Sequence, residues 1–359
     1  MTGMTRLASR PPSAHGAVRS VRGAAAMGVV IVAALVASGC TAEAPMPSPT
    51  PTPSYTSSYV PPDPTGLTPL TGEVIALDAL TTPSLAAKVD NHPDARPQIG
   101  LERTDIVFEE LVEGGLTRYV AVWHSDVPDI IGPVRSIRPM DPDIISPLGG
   151  IVAYSGGQSR FVELMRRAPV VNAIHGQPDT RDTFFRGDNA PAPHNVLVRA
   201  PQVIAQHPEL APPVQQFAFA DSIAAATATK DGVPTAAIAL RFGSQSTPSW
   251  AWDAGSERWL RFQTGGDPDT DAQGAPLSAV NVVVLRVPVQ VIQSIPTTQL
   301  IGSGEAWIST GGATVRATWS KTSMTAPIRL LDAEGVAVRL APGNTWVELV
   351  PLAGSASFR

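Results

Sequence analysis

Cysteine is all but missing from these 359 residues. Cys40 stands alone, which excludes a disulfide framework, a cysteine-rich zinc site and an iron–sulfur cluster. Lysine is nearly as scarce, since Lys88, Lys230 and Lys321 are the only lysines among 26 basic residues. Basic residues do not outnumber the 31 acidic ones, so the chain lacks the cationic surface that nucleic acid requires, and no nucleic-acid partner is expected. Chemical signatures are also thin. No H-E-x-x-H motif occurs, Asp90, His92 and Asp94 lack the spacing of a metal site, and Tyr154-Ser155-Gly156-Gly157 is not a nucleophile elbow. The sequence therefore assigns no catalytic residue, no metal and no cofactor.

What is present is apolar material and proline. At 43% hydrophobic and 16% charged, the chain can bury one large core or two ordinary ones. The 36 prolines are about double the usual share of roughly 5%, so part of the length is linker or loop.

The N-terminus reads as an address. Arg19 and Arg22 precede an apolar or small-residue run from Ala24 to Ala37, which ends at Ser38-Gly39-Cys40. That is a signal-peptide pattern over residues 1–39, too short for a comfortable membrane span. The small residues before Cys40 resemble a bacterial lipobox, with Ala37 where leucine is commoner; cleavage would leave Cys40 as a lipid-modified first residue. Loss of 1–39 takes the formal charge from -5 to -9, because four arginines leave with no acid. Residues 40–69 are rich in Pro, Ser and Thr and read as an extended tether at roughly 3.1 Å per residue. The expected location is the extracytoplasmic face of the cell membrane, anchored through the N-terminal lipid.

Two folded segments follow, giving an expected α+β class. Residues 70–215 read as a mixed α/β domain, with strands over Ser84 to Val89, Ile106 to Leu111, Arg118 to His124 and Gly150 to Tyr154, and a short helix over Arg160 to Arg167. Residues 234–352 read as β-rich, an antiparallel sheet or small sandwich, with nine alternating or buried runs from Ala236 to Val350. Asp221 to Lys230 is a plausible connecting helix, which leaves the boundary open between 210 and 235. Six of the seven tryptophans fall in the second segment and are assigned chiefly to its core.

The block from Asp90 to Pro139 carries a resemblance. Asn91, Ala95-Arg96-Pro97-Gln98, Gly100-Leu101, Asp105, Glu109, Glu113-Gly114-Gly115, Thr117-Arg118 and Gly132-Pro133-Val134-Arg135-Ser136 with Arg138 are similar to the YerB-like bacterial lipoprotein family. Gly156-Gly157, Phe185-Arg186 and Pro193-His194-Asn195 continue the likeness, and it extends more weakly over the β-rich segment. The family has N- and C-terminal conserved regions and no established chemistry, so its residues must be read on their own terms.

Arg96, Arg118, Arg135, Arg138 and Arg186, with Asp105, Glu109 and Glu113, are many charges for a strand-and-loop region. Either they pair internally and hold the Pro-Gly loops, or Arg118, Arg135 and Arg138 form a fork for phosphate, pyrophosphate or carboxylate. In the second case the protein binds an anionic cell-wall glycopolymer or an envelope protein. His194 is a candidate base or ligand, and with Asn195 a candidate loop anchor. Glu109 and Glu113 lie four apart but on a strand pattern, and are a weak acid/base pair.

A fainter second resemblance, over Arg103 to Val107, Ser136 to Asp141 and Ala153 to Gly157, is to the LytR-CpsA-Psr phosphotransferases. That likeness implies Asp105 as a Mg²⁺ ligand, Arg135 or Arg138 on a pyrophosphate, and a polyprenyl-pyrophosphate-linked glycan as substrate.

Overall fold

The computed structural model describes residues 65–359 apart from positions 78 and 189. The leader at 1–39, Cys40 and the tether as far as residue 64 lie outside the described residues. The last residues assigned to the tether are folded: Thr65–Leu67 pairs antiparallel with Val74–Ala76, and Thr68 and Leu70 are buried.

Strands dominate because the sequence supplies uninterrupted apolar stretches such as Asn281–Val287 and Thr345–Pro351, the pattern of strands covered on both faces. Both belong to an eleven-stranded sheet that runs through the two segments. Across its main path the order is Val233–Pro234, Ala313–Lys321, Gly302–Thr310, Asn281–Val287, Thr345–Pro351, Ile106–Leu111, Thr117–Trp123, Leu85–Asp90, Ile151–Tyr154 and Val171–Ile174. The join is the parallel pairing of Thr345–Pro351 with Ile106–Leu111, in register from Thr345 opposite Ile106 to Leu349 opposite Glu110. The β-rich segment thus does not keep its strands to one meander. Five further strands form an antiparallel sheet, ordered Ser278–Ala279, Arg258–Phe262, Ser249–Asp253, Ala237–Arg241 and Ser355–Phe358, while Val289–Ile292 pairs with Ile295–Thr298 and Arg339–Leu340 with Ala218–Phe219.

Period-two alternation then sorts side chains to two cores. On one face Val120, Val122, Val152, Val283 and Val347 meet Ile144, Ile145, Phe161 and Met165 from helices Asp141–Ile145 and Ser159–Arg166. On the other, Tyr119, Ala121, Val282 and Trp346 meet Ile238, Trp250 and Trp259 of the five-stranded sheet. Trp250, Trp259, Trp319 and Trp346 are fully buried, as their assignment to the core requires. Strand content is 41% against 14% helix, so helix contributes less than the mixed reading of residues 70–215 suggests. The connecting helix is shorter than the sequence pattern, a 3₁₀ turn at Ile223–Ala225 followed by Thr227–Asp231. Among the described residues, no helix is long and apolar enough to cross a membrane.

Candidate functional site

The site arises where two parallel strands part. Leu85–Asp90 and Ile151–Tyr154 pair from Leu85 opposite Ile151 to Ala87 opposite Ala153, and the chain around 134–137 then enters between their carboxyl ends. The Arg135 N–H donates to the Lys88 carbonyl at 2.7 Å, and the Ser155 and Ile137 N–H groups donate to Arg135 and Gly156 carbonyls at 3.0 Å each. Gly157 makes this approach possible, with φ +153 and space for a Cβ only 3.0 Å from Ile137 Cγ2. A crevice at the carboxyl edge of parallel strands is the usual place for ligands in open sheets.

A cavity of about 170 Å³ opens here, bordered by Asp90, His92, Glu113, Arg118, Arg135, Arg138 and His194. Arg118 sits on a central strand opposite both Asp90 and Glu110, yet among the described residues it forms no ion pair with a carboxylate. It donates to the Ser136 carbonyl at 3.0 Å. Burial, and then the guanidiniums of Arg138 and Arg135, push Arg118 down to about 10, while Asp90 and Glu113 act in the opposite sense. Arg135 lies 3.0 Å from Asp90 through its Nε, an ion pair without a well-aligned hydrogen bond. Arg138 is more committed, donating to Glu113 at 2.8 Å and to the Ile137 carbonyl at 3.0 Å. Asp90 also takes the Nδ1 of His194 at 2.7 Å, and the His194 ring stacks on His92 with centroids 4.4 Å apart.

Two buried charge clusters brace this crevice. Behind it Lys88 holds Glu110 and, at 2.7 Å, Asp141, with all three side chains inaccessible. Burial, with further push from Asp141, raises Glu110 to about 8 against the pull of Lys88. Asp141 in turn accepts the Arg138 N–H at 2.5 Å, which fixes the arginine-bearing loop. On the opposite face Arg261 donates to Glu109 at 2.6 Å, Asp269 at 2.9 Å and Glu348 at 3.2 Å, with its guanidinium 4.7 Å from the Trp346 ring centre. Gln263 extends this network to the Asn91 side chain at 3.2 Å, and Asn91 accepts from Arg96 at 3.0 Å.

The sequence candidates therefore divide. Arg118, Arg135, Arg138, Glu113 and His194 converge on the cavity. Arg96 is spent on Asn91, and Arg186 on Asn195 at 2.7 Å; Asn195 also donates to the Gly187 carbonyl, so these three hold loops. Glu109 faces the Arg261 network, because the strand alternates and Glu109 and Glu110, the latter held by Lys88, point to opposite faces. Glu109 does not border the cavity that Glu113 lines. Asp105 precedes Ile106–Leu111 at the end of that strand away from the cavity, roughly 20 Å along a strand of this length. It borders a different cavity of about 340 Å³, accepts the Ser125 N–H at 2.9 Å and is pushed up to about 6 by burial. The structure thus separates Asp105 from Arg135 and Arg138, so the Mg²⁺ and pyrophosphate arrangement implied by the phosphotransferase likeness is not assembled.

The sequence sets Asp90 and His92 aside for want of metal-site spacing, and Lys88, Arg261 and Glu348 are absent from its candidates. Their signal was available: ionisable residues inside or at the end of otherwise apolar strands, where an unpaired charge is costly.

Comparison with known proteins agrees with this layout. A family model described as "Protein of unknown function (DUF3048) N-terminal domain" matches residues 70–212, and its C-terminal counterpart matches residues 238–347. A Bacillus subtilis (strain 168) protein named "Putative lipoprotein YerB" is 24% identical over 299 residues, covering 81% of this chain and 88% of that protein. The crystal structure of YerB from Bacillus subtilis aligns with TM-score 0.69 at 23% identity, covering 81% of this chain and 99% of that one, a likeness of fold. The two family-model matches, the first of which contains every residue of the arginine-bearing crevice, place the chain in the YerB-like DUF3048 family.

Proposed function

We propose that the protein is a lipoprotein, anchored at the extracytoplasmic face of the membrane through Cys40, that binds an anionic group of a cell-envelope component in the Arg118, Arg135 and Arg138 cavity. The lipobox-like Ser38-Gly39-Cys40 and the name of the Bacillus subtilis relative, a putative lipoprotein, support the anchor. The observation that carries the binding reading is Arg118: a guanidinium depressed first by burial and then by its arginine neighbours, which lacks a carboxylate ion pair among the described residues. Such a group is held ready for a charge from outside, because an incoming phosphate or carboxylate supplies the partner the fold withholds. Arg135 adds a second donor set whose Nε is poorly aligned with Asp90.

The test is calorimetric titration of full-length protein in detergent with inorganic phosphate, pyrophosphate and citrate. Arg118→Ala should weaken binding by about 10- to 100-fold, the effect of losing one charge-assisted hydrogen-bonding group. Arg96→Ala, outside the cavity wall, should leave affinity unchanged. Absence of heat with all three anions in folded protein overturns the reading.

A further inference from the structure

Beside the guanidiniums, two histidines and a carboxylate come together from distant parts of the chain. One ring nitrogen each of His92 and His194 and one oxygen of Asp94 all lie within 4.8 Å of one another. We propose that these three residues bind a divalent transition metal ion.

The second observation is how the ligands are held. His194 turns its Nδ1 to Asp90 at 2.7 Å, the carboxylate–histidine pairing that fixes the tautomer and leaves Nε2 free for a metal. Asp90 is itself buried and fixed, accepting the His92 N–H at 3.2 Å, so the orienting group is rigid. His92 Nδ1 and Asp94 Oδ2 are 3.6 Å apart. That approaches the edge of about 3.3 Å set by a tetrahedral ion with bonds of about 2.0–2.1 Å. Two arrangements must yield to a metal: the Asp94 N–H reaches His92 Nδ1 at 3.2 Å, and the partly exposed His92 ring must turn out of its stack on His194, where the planes are 20° apart, before both in-plane lone pairs meet at one ion. Two imidazoles and a carboxylate suit Zn²⁺, Co²⁺ or Ni²⁺ better than Mg²⁺, which prefers oxygen ligands. Asp94 and His92 are open enough to solvent for an ion to enter.

The sequence hides this site. His92-Pro93-Asp94 alone has no recognised spacing, and His194 arrives from the far loop through its bond to Asp90. Because His92 and His194 also border the arginine cavity, the ion adds positive charge next to the anion-binding groups and offers a coordination position to an anion oxygen. That last step rests on the anion reading; the metal site does not.

The experiment is titration of full-length protein in detergent with CoCl₂ in a buffer free of phosphate, read by visible ligand-field absorption and by calorimetry. One Co²⁺ per chain is expected, displaced by ZnCl₂. His92→Ala and Asp94→Asn should each weaken binding by at least about tenfold, and Asp90→Asn, at a residue that orients His194 and holds the His92 backbone without reaching the ion, by about 10- to 100-fold. His207→Ala, at a histidine paired with Glu209 elsewhere, should bind as the parent does. His92 and Asp94 are partly exposed, so these variants stay folded and decide the matter even if His194→Ala does not. Absence of Co²⁺ binding, or equal binding by His92→Ala, Asp94→Asn and parent, overturns the proposal. Pyrophosphate titrated without metal tests the guanidinium pocket separately, so the two readings fail independently.

Discussion

Replacing Arg261 by Met tests the reasoning about buried charge most directly. The guanidinium is inaccessible and donates to Glu109 and Glu348 of the eleven-stranded sheet and to Asp269 of the loop after Arg258–Phe262, so it joins both segments of the chain. Burial already drives Glu348 and Asp269 upward, Glu348 further through Glu109, and Arg261 opposes this in both. Methionine fills similar space but leaves three carboxyl groups without their cation. Removing one partner from a buried ion cluster costs about 3–5 kcal/mol. For a body of roughly 300 residues, with about 2.1 cal/mol/K of unfolding entropy per residue, that lowers Tm by about 5–8 °C. The pH dependence has a definite sign. A carboxyl whose folded pKa is raised contributes stability below its unfolded pKa and loses it as pH rises through the folded value. Without Arg261 the rise is larger, so the deficit should be greater at about pH 7.5 than at about pH 5. Scanning calorimetry of parent and variant at both pH values measures this. Adding Glu109→Gln and Glu348→Gln to the variant should recover part of the loss. A deficit below about 1 kcal/mol, or one that shrinks as pH rises, refutes the account.

Three further outcomes are expected. Asp105 titrates near 6 because it is buried, so parent stability should fall between about pH 4 and pH 6.5 by up to about 3 kcal/mol relative to Asp105→Asn, as followed by urea unfolding at each pH. Parallel pH profiles for the two proteins would remove that assignment. Gly150→Ala places a Cβ 2.3 Å from the Ser84 carbonyl at φ +67, so at least about 2 kcal/mol of stability should be lost in the same assay; a change under 0.5 kcal/mol, roughly, would mean the strand ends move apart freely. Cys40→Ser should shift the protein from the membrane fraction to the soluble fraction on cell fractionation, and its retention with membranes would argue against a lipid anchor.

Much of the local structure was legible because its cause is local. Runs such as 'IVFEEL' and 'NVVVLRV' specify strands by β-branched content and burial, and the strands at Ile106–Leu111 and Asn281–Val287 formed where the pattern indicated. Short pieces such as Val171–Ile174, Phe184–Arg186 and Ser355–Phe358 were not legible, since they are ordered by their pairing partners rather than by their own composition. The arginine crevice was half legible. Its residue types stood out, but the sequence left internal pairing and ligand binding both open, and the structure divides them residue by residue.

By itself the sequence determined the absence of disulfide and cysteine-cluster chemistry, the signal and lipobox-like pattern around Cys40, many individual strands and the family, because each depends on composition or on contiguous residues. Tertiary structure alone decided that Thr345–Pro351 lies against Ile106–Leu111, that Glu109 belongs to Arg261 while Arg118 has no carboxylate ion pair among the described residues, and that His194 meets Asp90 and His92. These are contacts between residues far apart in the chain, chosen by strand register and by the cost of burying an unpaired charge, and no local pattern encodes either.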